Sequence, residues 1–175
     1  MDVKIRPFEE PDIPYKVIWI NDIENNRYLH YDLPLTESKT RVWYEKLKEK
    51  TDRFDCTIEI GGVPVGLIGL LNIDNTNKKA EYYICIGDNK FKNKGIAVSA
   101  SGLLINESFK RYSLNRIYLF TEVENIGAQK LFEKIGFIKE GLLKEDLIYC
   151  GRKIDRYIYG LKVEEYINKH EMDNL

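Results

Sequence analysis

The chain has 175 residues, of which 43% are hydrophobic and 31% are charged, and its formal net charge is −1 at pH 7. This length and composition predict one globular domain and exclude an intrinsically disordered chain. The balanced charge argues against nucleic acid as a partner. No apolar run approaches the roughly 20 residues of a membrane span, and residues 1–10 lack the core of a signal peptide, so we expect a cytoplasmic protein without membrane contact.

The cysteine and histidine content predicts neither a disulfide framework nor a metal site. Cys56, Cys85 and Cys150 are odd in number and lack paired CxxC spacing. His30 and His170 are the two histidines of the chain. We therefore expect these five residues to be structural or on the surface, and no metal cofactor.

The N-terminal third predicts one strand followed by two helices. Residues 3–8 predict the strand, and Asp12 predicts the start of a short first helix. Residues 21–35 look irregular, and Thr36 predicts the N-cap of a second helix. Three apolar side chains of the first helix are expected to face inward: Val17, Ile18 and Trp19.

A run of antiparallel strands is predicted next. Residues 53–60 alternate apolar and polar side chains, which predicts a strand with one solvated face. That solvated face is expected to carry Asp55, Thr57 and Glu59. The Gly61-Gly62 pair predicts a hairpin turn into residues 63–73, and residues 74–79 turn again into a strand over residues 80–87.

The second half predicts alternating helices and strands before a closing hairpin. A helix after Gly95, a strand, an amphipathic helix that ends at Gly136, two antiparallel strands and a helix from Val163 follow one another. The order β-α-α-β-β-β-α-β-α-β-β predicts a mixed α/β domain around one sheet, with helices on both of its faces.

Residues 91–101, KFKNKGIAVSA, place cationic residues and a glycine at a helix entrance that directly follows a strand. A helix N-terminus presents free N–H groups and the positive end of the helix dipole, so this loop can hold a phosphate. An ordinary solvated strand-to-helix turn is the alternative. A P-loop is excluded because the Gly-x4-Gly-Lys-Ser/Thr pattern is absent.

A second segment makes the pattern specific. Residues 125–137, NIGAQKLFEKIGF, follow a strand and begin thirty residues after the glycine turn. Together, EYYICIG, KNKGIA, the helix, the strand and NxxAxxLFxKxGF resemble the GNAT family of acyl-CoA-dependent N-acyltransferases. Lys92, Gly95 and Ala97 match that family's Arg/Gln-x-x-Gly-x-Gly/Ala loop, and the resemblance covers most of residues 3–161.

The resemblance implies the GNAT fold, with a mostly antiparallel central sheet and helices on both faces. It also implies a single acetyltransferase domain over residues 1–175. Within that domain, residues 1–53 are expected to form the acceptor side and residues 54–137 the acetyl-CoA-binding core. Residues 138–175 are expected to form a closing hairpin and tail.

The same resemblance implies where acetyl-CoA, the co-substrate, binds. In the family, the strand before the glycine turn keeps one edge open for pantetheine. The corresponding residues here are Ile84, Cys85 and Ile86. The pyrophosphate is expected on the backbone N–H groups of the turn, with added charge from its lysines; the residues are Lys92, Asn93, Lys94, Gly95, Ile96 and Ala97. Lys94 also fits a solvated surface lysine.

Two residues of the 125–137 motif are expected beside the co-substrate. Asn125 resembles the family asparagine next to the pantetheine arm, and a plain helix N-cap is its other role. Phe132 departs from many relatives, which carry a tyrosine whose hydroxyl is proposed to protonate the leaving thiolate. Phenylalanine has no proton to donate. Tyr118, Tyr149 or a water then supplies the proton, or the thiolate leaves unprotonated.

The acceptor amine must lose a proton, so the reaction requires a base or a water-mediated route. Glu81 resembles a strand glutamate that several relatives use, and we expect it to be the base. Glu122, on the next strand, is the second candidate. An exposed strand-end carboxylate or a structural ion pair is the alternative for Glu81.

Residues 19–38 resemble the ribosomal-protein N-terminal acetyltransferase (RimJ/RimL-like) branch of the family. Their polar and aromatic side chains are expected to line an acceptor pocket, although a packed loop with exposed polar edges fits equally well. The candidates are Asn21, Arg27, Tyr28, His30 and Tyr31.

The expected reaction moves an acetyl group from acetyl-CoA to a primary amine by direct attack on the thioester. A small amine or an amino-sugar nucleotide is the favoured acceptor, and a protein N-terminus is the alternative. A module that binds CoA without catalysis is the alternative of another class, with Phe132 as its main argument. The chain is compatible with a homodimer.

Overall fold

The computed structural model describes residues 2–172, in which seven strands form one sheet with six helices around it. The strands are β1 (Val3–Pro7), β2 (Phe54–Ile60), β3 (Val63–Asp74), β4 (Lys79–Ile86), β5 (Arg116–Glu122), β6 (Ile138–Tyr149) and β7 (Arg152–Lys162). The helices are α1 (Ile13–Asn21), α2 (Ile23–Asn26), α3 (Glu37–Leu47), α4 (Ile96–Tyr112), α5 (Ile126–Ile135) and α6 (Val163–Met172).

The predicted order of elements is confirmed apart from α2, which the sequence analysis missed inside the segment that looks irregular. The Asp22 side chain caps this single helical turn by accepting from the Glu24 and Asn25 N–H groups. Residues 1 and 173–175 of the predicted domain lie outside the described residues. The division of the chain into an acceptor side, a core and a tail stays a prediction.

The sheet has the order β1-β2-β3-β4-β5-β7-β6, and every neighbouring pair is antiparallel except β4 and β5. That parallel pair is short, because it runs only from Lys79↔Arg116 to Glu81↔Tyr118. Beyond Glu81, β4 stays paired with β3 as far as Ile86, while no strand within residues 2–172 pairs with its other edge. The sheet therefore opens into a gap between β4 and β5.

Helices cover both faces of the sheet and leave this gap accessible. Helices α4, α5 and α6 contribute to the larger core on one face. On the other face, Phe8, Ile13, Trp19 and Leu67 form a smaller cluster. Trp19 of α1 packs directly on Gly87, where an added Cβ would lie 2.1 Å from the indole ring, so only glycine fits at the end of β4.

Two burial predictions are wrong in the N-terminal half. Ile18 is 67% exposed, and α1 instead buries Lys16 next to Trp19. Asp55 and Thr57 were expected on a solvated face of β2, yet both are buried. The α1–α3 layer covers that face, so its polar groups require partners inside the protein.

Asp12 provides one of those partners and does not cap α1. Its carboxylate receives two hydrogen bonds from Arg6, at 2.6 and 2.8 Å, and one from the Thr57 hydroxyl at 2.7 Å. Burial opposes ionisation of this carboxyl group, but these donors outweigh it and lower the pKa of Asp12. The pair fixes β1 against the start of α1.

Candidate active site

The gap between β4 and β5 opens into a cavity of about 820 Å³. Ile84, Cys85 and Ile86 line it from β4, with the free strand edge toward β5. Free backbone groups at such an edge can hydrogen-bond an extended chain of amides, as an added strand does. The three residues that were predicted to bind pantetheine thus lie together on an open strand edge.

The turn before α4 has the backbone geometry of an anion site. Asn93 and Gly95 both adopt left-handed conformations, with φ of 60° and 78°, and Gly95 is the N-cap of α4. Asn93, Gly95, Ile96 and Ala97 all line the cavity. Alternating left-handed residues and the first N–H groups of a helix point donors toward one place, so this turn fits a pyrophosphate.

The two lysines of the turn differ. Lys92 lines the cavity, and its Nζ donates to Asn25 Oδ1 at 2.6 Å. Asn25 also donates to the carbonyls of Trp19 and Gly87, so it connects α2 to the end of β4. Lys94 is exposed, does not line the cavity and lies near the Phe91 ring, which favours its role as a solvated lysine.

Asn125 and Phe132 both line the cavity from the opposite side of the gap. Asn125 caps α5 by accepting from the Ala128 N–H group, so its structural role is present together with its place in the wall. Phe132 is 8% exposed and packs edge-on against Tyr82. The Tyr82 hydroxyl is engaged with Ser101 at 2.7 Å.

Neither tyrosine that was considered as a proton donor lines the cavity. Tyr118 packs against Phe120, and the Tyr149 hydroxyl donates to the Tyr31 carbonyl at 2.9 Å. Neither hydroxyl is therefore placed in the cavity to protonate a departing thiolate.

The two candidate carboxylates occupy different environments. Glu81 lines the cavity at the point where β4 and β5 separate, and it accepts a hydrogen bond from Asn72 at 2.9 Å. Glu122 is 6% exposed and does not line the cavity. Its Oε1 lies 2.5 Å from His30 Nε2. Glu122 can therefore reach an acceptor only through His30.

The five residues predicted for the acceptor pocket divide into two groups. Tyr28, His30 and Tyr31 line the cavity. Asn21 and Arg27 do not: Asn21 exchanges two hydrogen bonds of 2.8 Å with the backbone of Leu35, and Arg27 is exposed. Asn21 thus holds the α2–α3 loop in place.

Several cavity residues were not predicted from the sequence, among them Arg53, Tyr83, Phe120 and Arg156. Tyr83 lies two positions after Glu81, and Phe120 lies two before Glu122, so the two-residue period of a strand could have placed them on the same face. Arg53 and Arg156 carried no comparable signal. Each arginine pairs with a carboxylate, Arg53 with Asp55 and Arg156 with Asp146.

A buried cation lies behind the acceptor wall. Lys16 is 5% exposed, with its Nζ 3.4 Å from the centre of the Trp43 ring and 5.7 Å from that of Tyr31. Burial lowers the pKa of Lys16 to about 8, although Asp55 acts in the opposite direction. The aromatic rings stabilise the ammonium form that burial disfavours.

Within residues 2–172, no helix is long and apolar enough to cross a membrane. The same part of the chain contains no group of three or more His, Cys, Asp or Glu side chains that could hold a metal ion.

Comparison with known proteins agrees with this geometry. Residues 2–138 match the family model described as an acetyltransferase (GNAT) domain. Spermidine N(1)-acetyltransferase of Escherichia coli is 26% identical over 97% of this chain and 90% of the relative. A putative ribosomal N-acetyltransferase of Bacillus subtilis is 35% identical, over only 58% of this chain and 55% of the relative.

Among solved structures, spermidine N-acetyltransferase from Vibrio cholerae in complex with CoA and spermine superimposes with a TM-score of 0.87. The two chains are 25% identical, and the match covers 94% of this chain and 98% of the other. The membership in the ribosomal-protein branch that the sequence suggested is not confirmed, because that relative matches little more than half of the chain. The chain belongs to the GNAT family, and it is an acetyl-CoA-dependent N-acetyltransferase.

Proposed function

We propose that the enzyme acetylates a primary amine of a small molecule, with the polyamine spermidine as the first acceptor to test. One observation carries the proposal. A single cavity joins the open edge of β4 and the Gly95 turn to a wall formed by Glu81, His30 and Tyr31. Such a cavity can hold a thioester and an amine next to each other, which is the main requirement for direct transfer.

The distribution of charge along the cavity supports a cationic acceptor. Lys92, Lys130 and Lys134 line the cavity and suit the phosphates of CoA. Glu24 and Glu81 also line it, and no described residue forms an ion pair with either carboxylate. The two arginines in the wall are already paired with carboxylates. Away from these three lysines, the unpaired charges that an acceptor can meet are therefore the two carboxylates, which are negative.

Transfer directly to the amine, without an acetylated enzyme, follows from the state of Cys85. This thiol lines the cavity next to the pantetheine edge and is the obvious candidate for a covalent intermediate. Burial raises the pKa of Cys85 to about 11, even though Lys92 acts in the opposite direction. The thiolate is the nucleophilic form, and it is scarce at neutral pH, so Cys85 is a poor acyl carrier.

The relatives support a polyamine more than the other acceptors. The Escherichia coli spermidine acetyltransferase matches 97% of the chain, and the Vibrio cholerae structure with spermine matches 94% of it. An amino-sugar nucleotide carries phosphates of its own, and both arginines outside the lysine cluster are already occupied. A protein N-terminus is supported only by the partial ribosomal match. The homodimer stays a prediction.

The test is a panel of amines with acetyl-CoA, in which thiol release and the mass of the product are both measured. The panel contains spermidine, spermine, a nucleotide-linked amino sugar and N-terminal peptides of ribosomal proteins. We expect spermidine or spermine to give the highest kcat/KM. A preference of tenfold or more for the amino-sugar nucleotide or a peptide would overturn the polyamine assignment. Binding of acetyl-CoA without turnover of any amine would overturn the proposed reaction.

A further inference from the structure

An imidazole backed by a buried carboxylate faces the cavity. His30 lies in the loop between α2 and α3, and its ring lines the cavity wall. Its Nε2 lies 2.5 Å from Oε1 of Glu122, at the end of β5. The Glu122 side chain is 6% exposed, whereas that of His30 is 16% exposed. The carboxylate is therefore shielded from solvent, and it contacts the imidazole that lines the cavity.

The loop holds His30 in an uncommon conformation. The φ of His30 is 59°, in the left-handed region that few residues other than glycine adopt. Asn26 fixes the turn, because its side chain accepts from the Tyr31 N–H group and donates to the Tyr31 carbonyl. The Tyr149 ring contacts the imidazole edge-on, with centroids 5.0 Å apart. Asn26 thus fixes the backbone beside His30, while Glu122 and Tyr149 contact the ring itself.

The hydrogen-bonding pattern assigns a role to each ring nitrogen. Glu122 favours a proton on Nε2, because an ionised carboxylate can only accept a hydrogen bond. Among the residues that the structure describes, none bonds to Nδ1. A neutral imidazole with its proton on Nε2 has a free lone pair on Nδ1. An imidazole held in this way can accept a proton from a bound amine.

We propose that His30 is the general base for the acceptor amine and that Glu122 is a positioning residue that acts through it. This inference rests on the proposed transfer to an amine. It also gives Glu81 a different role from the one that the sequence predicts. Glu81 would hold the cationic group of the acceptor where β4 and β5 separate, and His30 would take the proton.

The acetyl transfer needs only the amine, the thioester, His30 and water. The amine nitrogen attacks the thioester carbonyl carbon, and a C–N bond forms. The proton of the nitrogen goes to Nδ1 of His30. The C–S bond breaks, and its electron pair goes to sulfur, which leaves as a thiolate. The thiolate then takes a proton from water, and the imidazolium releases its proton to water. Phe132 has no part in these proton transfers.

The charged and titratable groups around His30 come from three strands and from its own loop. Glu122 contacts the ring from β5, and Tyr149 contacts it from β6. Arg156 of β7 is the register partner of Glu122, but its guanidinium pairs with Asp146 and lies 4.6 Å from the Phe120 ring centre. Tyr31 follows in the loop. The Glu122 carboxylate is thus the charged group that contacts the imidazole directly.

The experiment compares four variants in a steady-state assay with acetyl-CoA and spermidine, or with the fastest amine of the panel if spermidine is inert. His30→Gln and His30→Asn remove the base, and asparagine tolerates the left-handed backbone. Glu122→Gln tests the positioning role. His170→Gln is the matched control, because His170 is exposed on α6 and does not line the cavity.

We expect both His30 variants to lose kcat by about 10²-fold or more at pH 7, and the loss to shrink as pH rises. Acetyl-CoA affinity should stay within about twofold, which shows that the cofactor site is intact. In Glu122→Gln, the neutral ring should lose its preference for a proton on Nε2, because an amide can donate to this nitrogen as well as accept from it. A mere packing role of Glu122 would lower activity without changing the tautomer.

A kcat within threefold of the parent in both folded His30 variants would overturn the proposal. A second readout does not depend on any acceptor. Long-range ¹H–¹⁵N NMR of the enzyme labelled at histidine reports the ring tautomer, with His30→Asn used to assign the signal. We expect the proton on Nε2, and a proton on Nδ1 of the neutral ring would overturn the proposal. Failure of every amine in the panel would affect only the proposed function.

Discussion

The two ends of the cavity are built from different parts of the chain. The end where we propose that acetyl-CoA binds, the cofactor end, is formed mainly by backbone: the open edge of β4, the left-handed turn at Asn93 and Gly95, and the first turn of α4. The end where we propose that the amine binds, the acceptor end, is formed by side chains such as Glu81, His30 and Tyr31. Backbone binding depends on conformation and tolerates sequence change, whereas side-chain binding changes with each substitution. We therefore expect substitutions at the two ends to have different kinetic signatures.

The largest effect is expected from Gly95→Glu at the cofactor end. An added Cβ meets nothing within 4 Å, so the substitution is not excluded by a clash. It places a negative charge beside the expected pyrophosphate and requires a left-handed φ of 78° from a residue that has a Cβ. We expect acetyl-CoA affinity to fall by about 10²-fold or more by calorimetry.

Gly62→Glu is the matched control for that variant. Gly62 has a φ of 79°, also lacks neighbours for an added Cβ and lies in the β2–β3 hairpin turn, outside the cavity. It carries the same backbone strain and the same charge change. Equal affinities for acetyl-CoA in the two variants would show that the Gly95 turn does not bind the pyrophosphate.

The second effect is expected from Glu81→Gln at the acceptor end. Glutamine keeps the shape of the side chain and removes the charge that we assign to ammonium binding. We expect the KM for spermidine to rise about tenfold or more, with kcat and acetyl-CoA affinity changed less than about threefold. The exposed Glu124→Gln is the control. A kcat loss of 10²-fold that disappears at high pH would instead identify Glu81 as the base and remove that role from His30.

Helix ends and hairpin turns could be predicted from the sequence, including the turn at the cofactor end, because glycine and helix signals are local. Gly95 and Gly136 have left-handed φ values at the two helix ends where the spacing placed them, and the Gly61-Gly62 turn joins β2 to β3. Each signal depends on a few neighbouring residues, so no tertiary contact is needed to interpret it.

The acceptor end could not be predicted in the same way because its contacts join distant parts of the chain. His30 and Glu122 are 92 residues apart, and neither residue alone indicates the pair. Asp55 looks like part of a solvated face until α1 and α3 cover it. Lys16 lies on the buried side of α1, where aromatic rings from three segments surround its ammonium group. Such tertiary contacts override the local pattern of polar residues.

The third effect concerns the stability of the acceptor wall. Below about pH 8 the folded chain holds Lys16 as a buried ammonium, and burial makes this charged form costly. Lys16→Met keeps the unbranched chain among the same rings and removes the charge. We expect the variant to be more stable than the parent by about 1 kcal/mol in urea unfolding at pH 6.5.

The stability difference between the parent and Lys16→Met should depend on pH. The pKa of Lys16 is lowered to about 8 in the folded state, from an ordinary value of 10.5. Between these values the unfolded chain binds more protons than the folded chain, so the parent gains stability from this group as pH rises. The advantage of Lys16→Met should therefore narrow between pH 8 and 10. The exposed Lys48→Met is the control, and an advantage that stays constant with pH would contradict the explanation.

The smallest effect is expected from Phe132→Tyr, which restores the hydroxyl found in many relatives at the boundary between the two ends. Phe132 packs against Tyr82, Phe137 and Tyr159 and still lines the cavity, so a para hydroxyl can reach the cavity if the ring stays in place. A thiolate with a pKa of roughly 8.5–10 leaves adequately without protonation. We therefore expect kcat to rise by less than about threefold, with unchanged unfolding in urea.

Phe137→Tyr, in the same ring cluster but outside the cavity wall, controls for the added hydroxyl. A loss of kcat above tenfold in a folded Phe132→Tyr enzyme would show that the apolar ring itself is required beside the thioester. A rise above tenfold would show that protonation of the thiolate limits the parent enzyme, and it would assign the missing acid to this position.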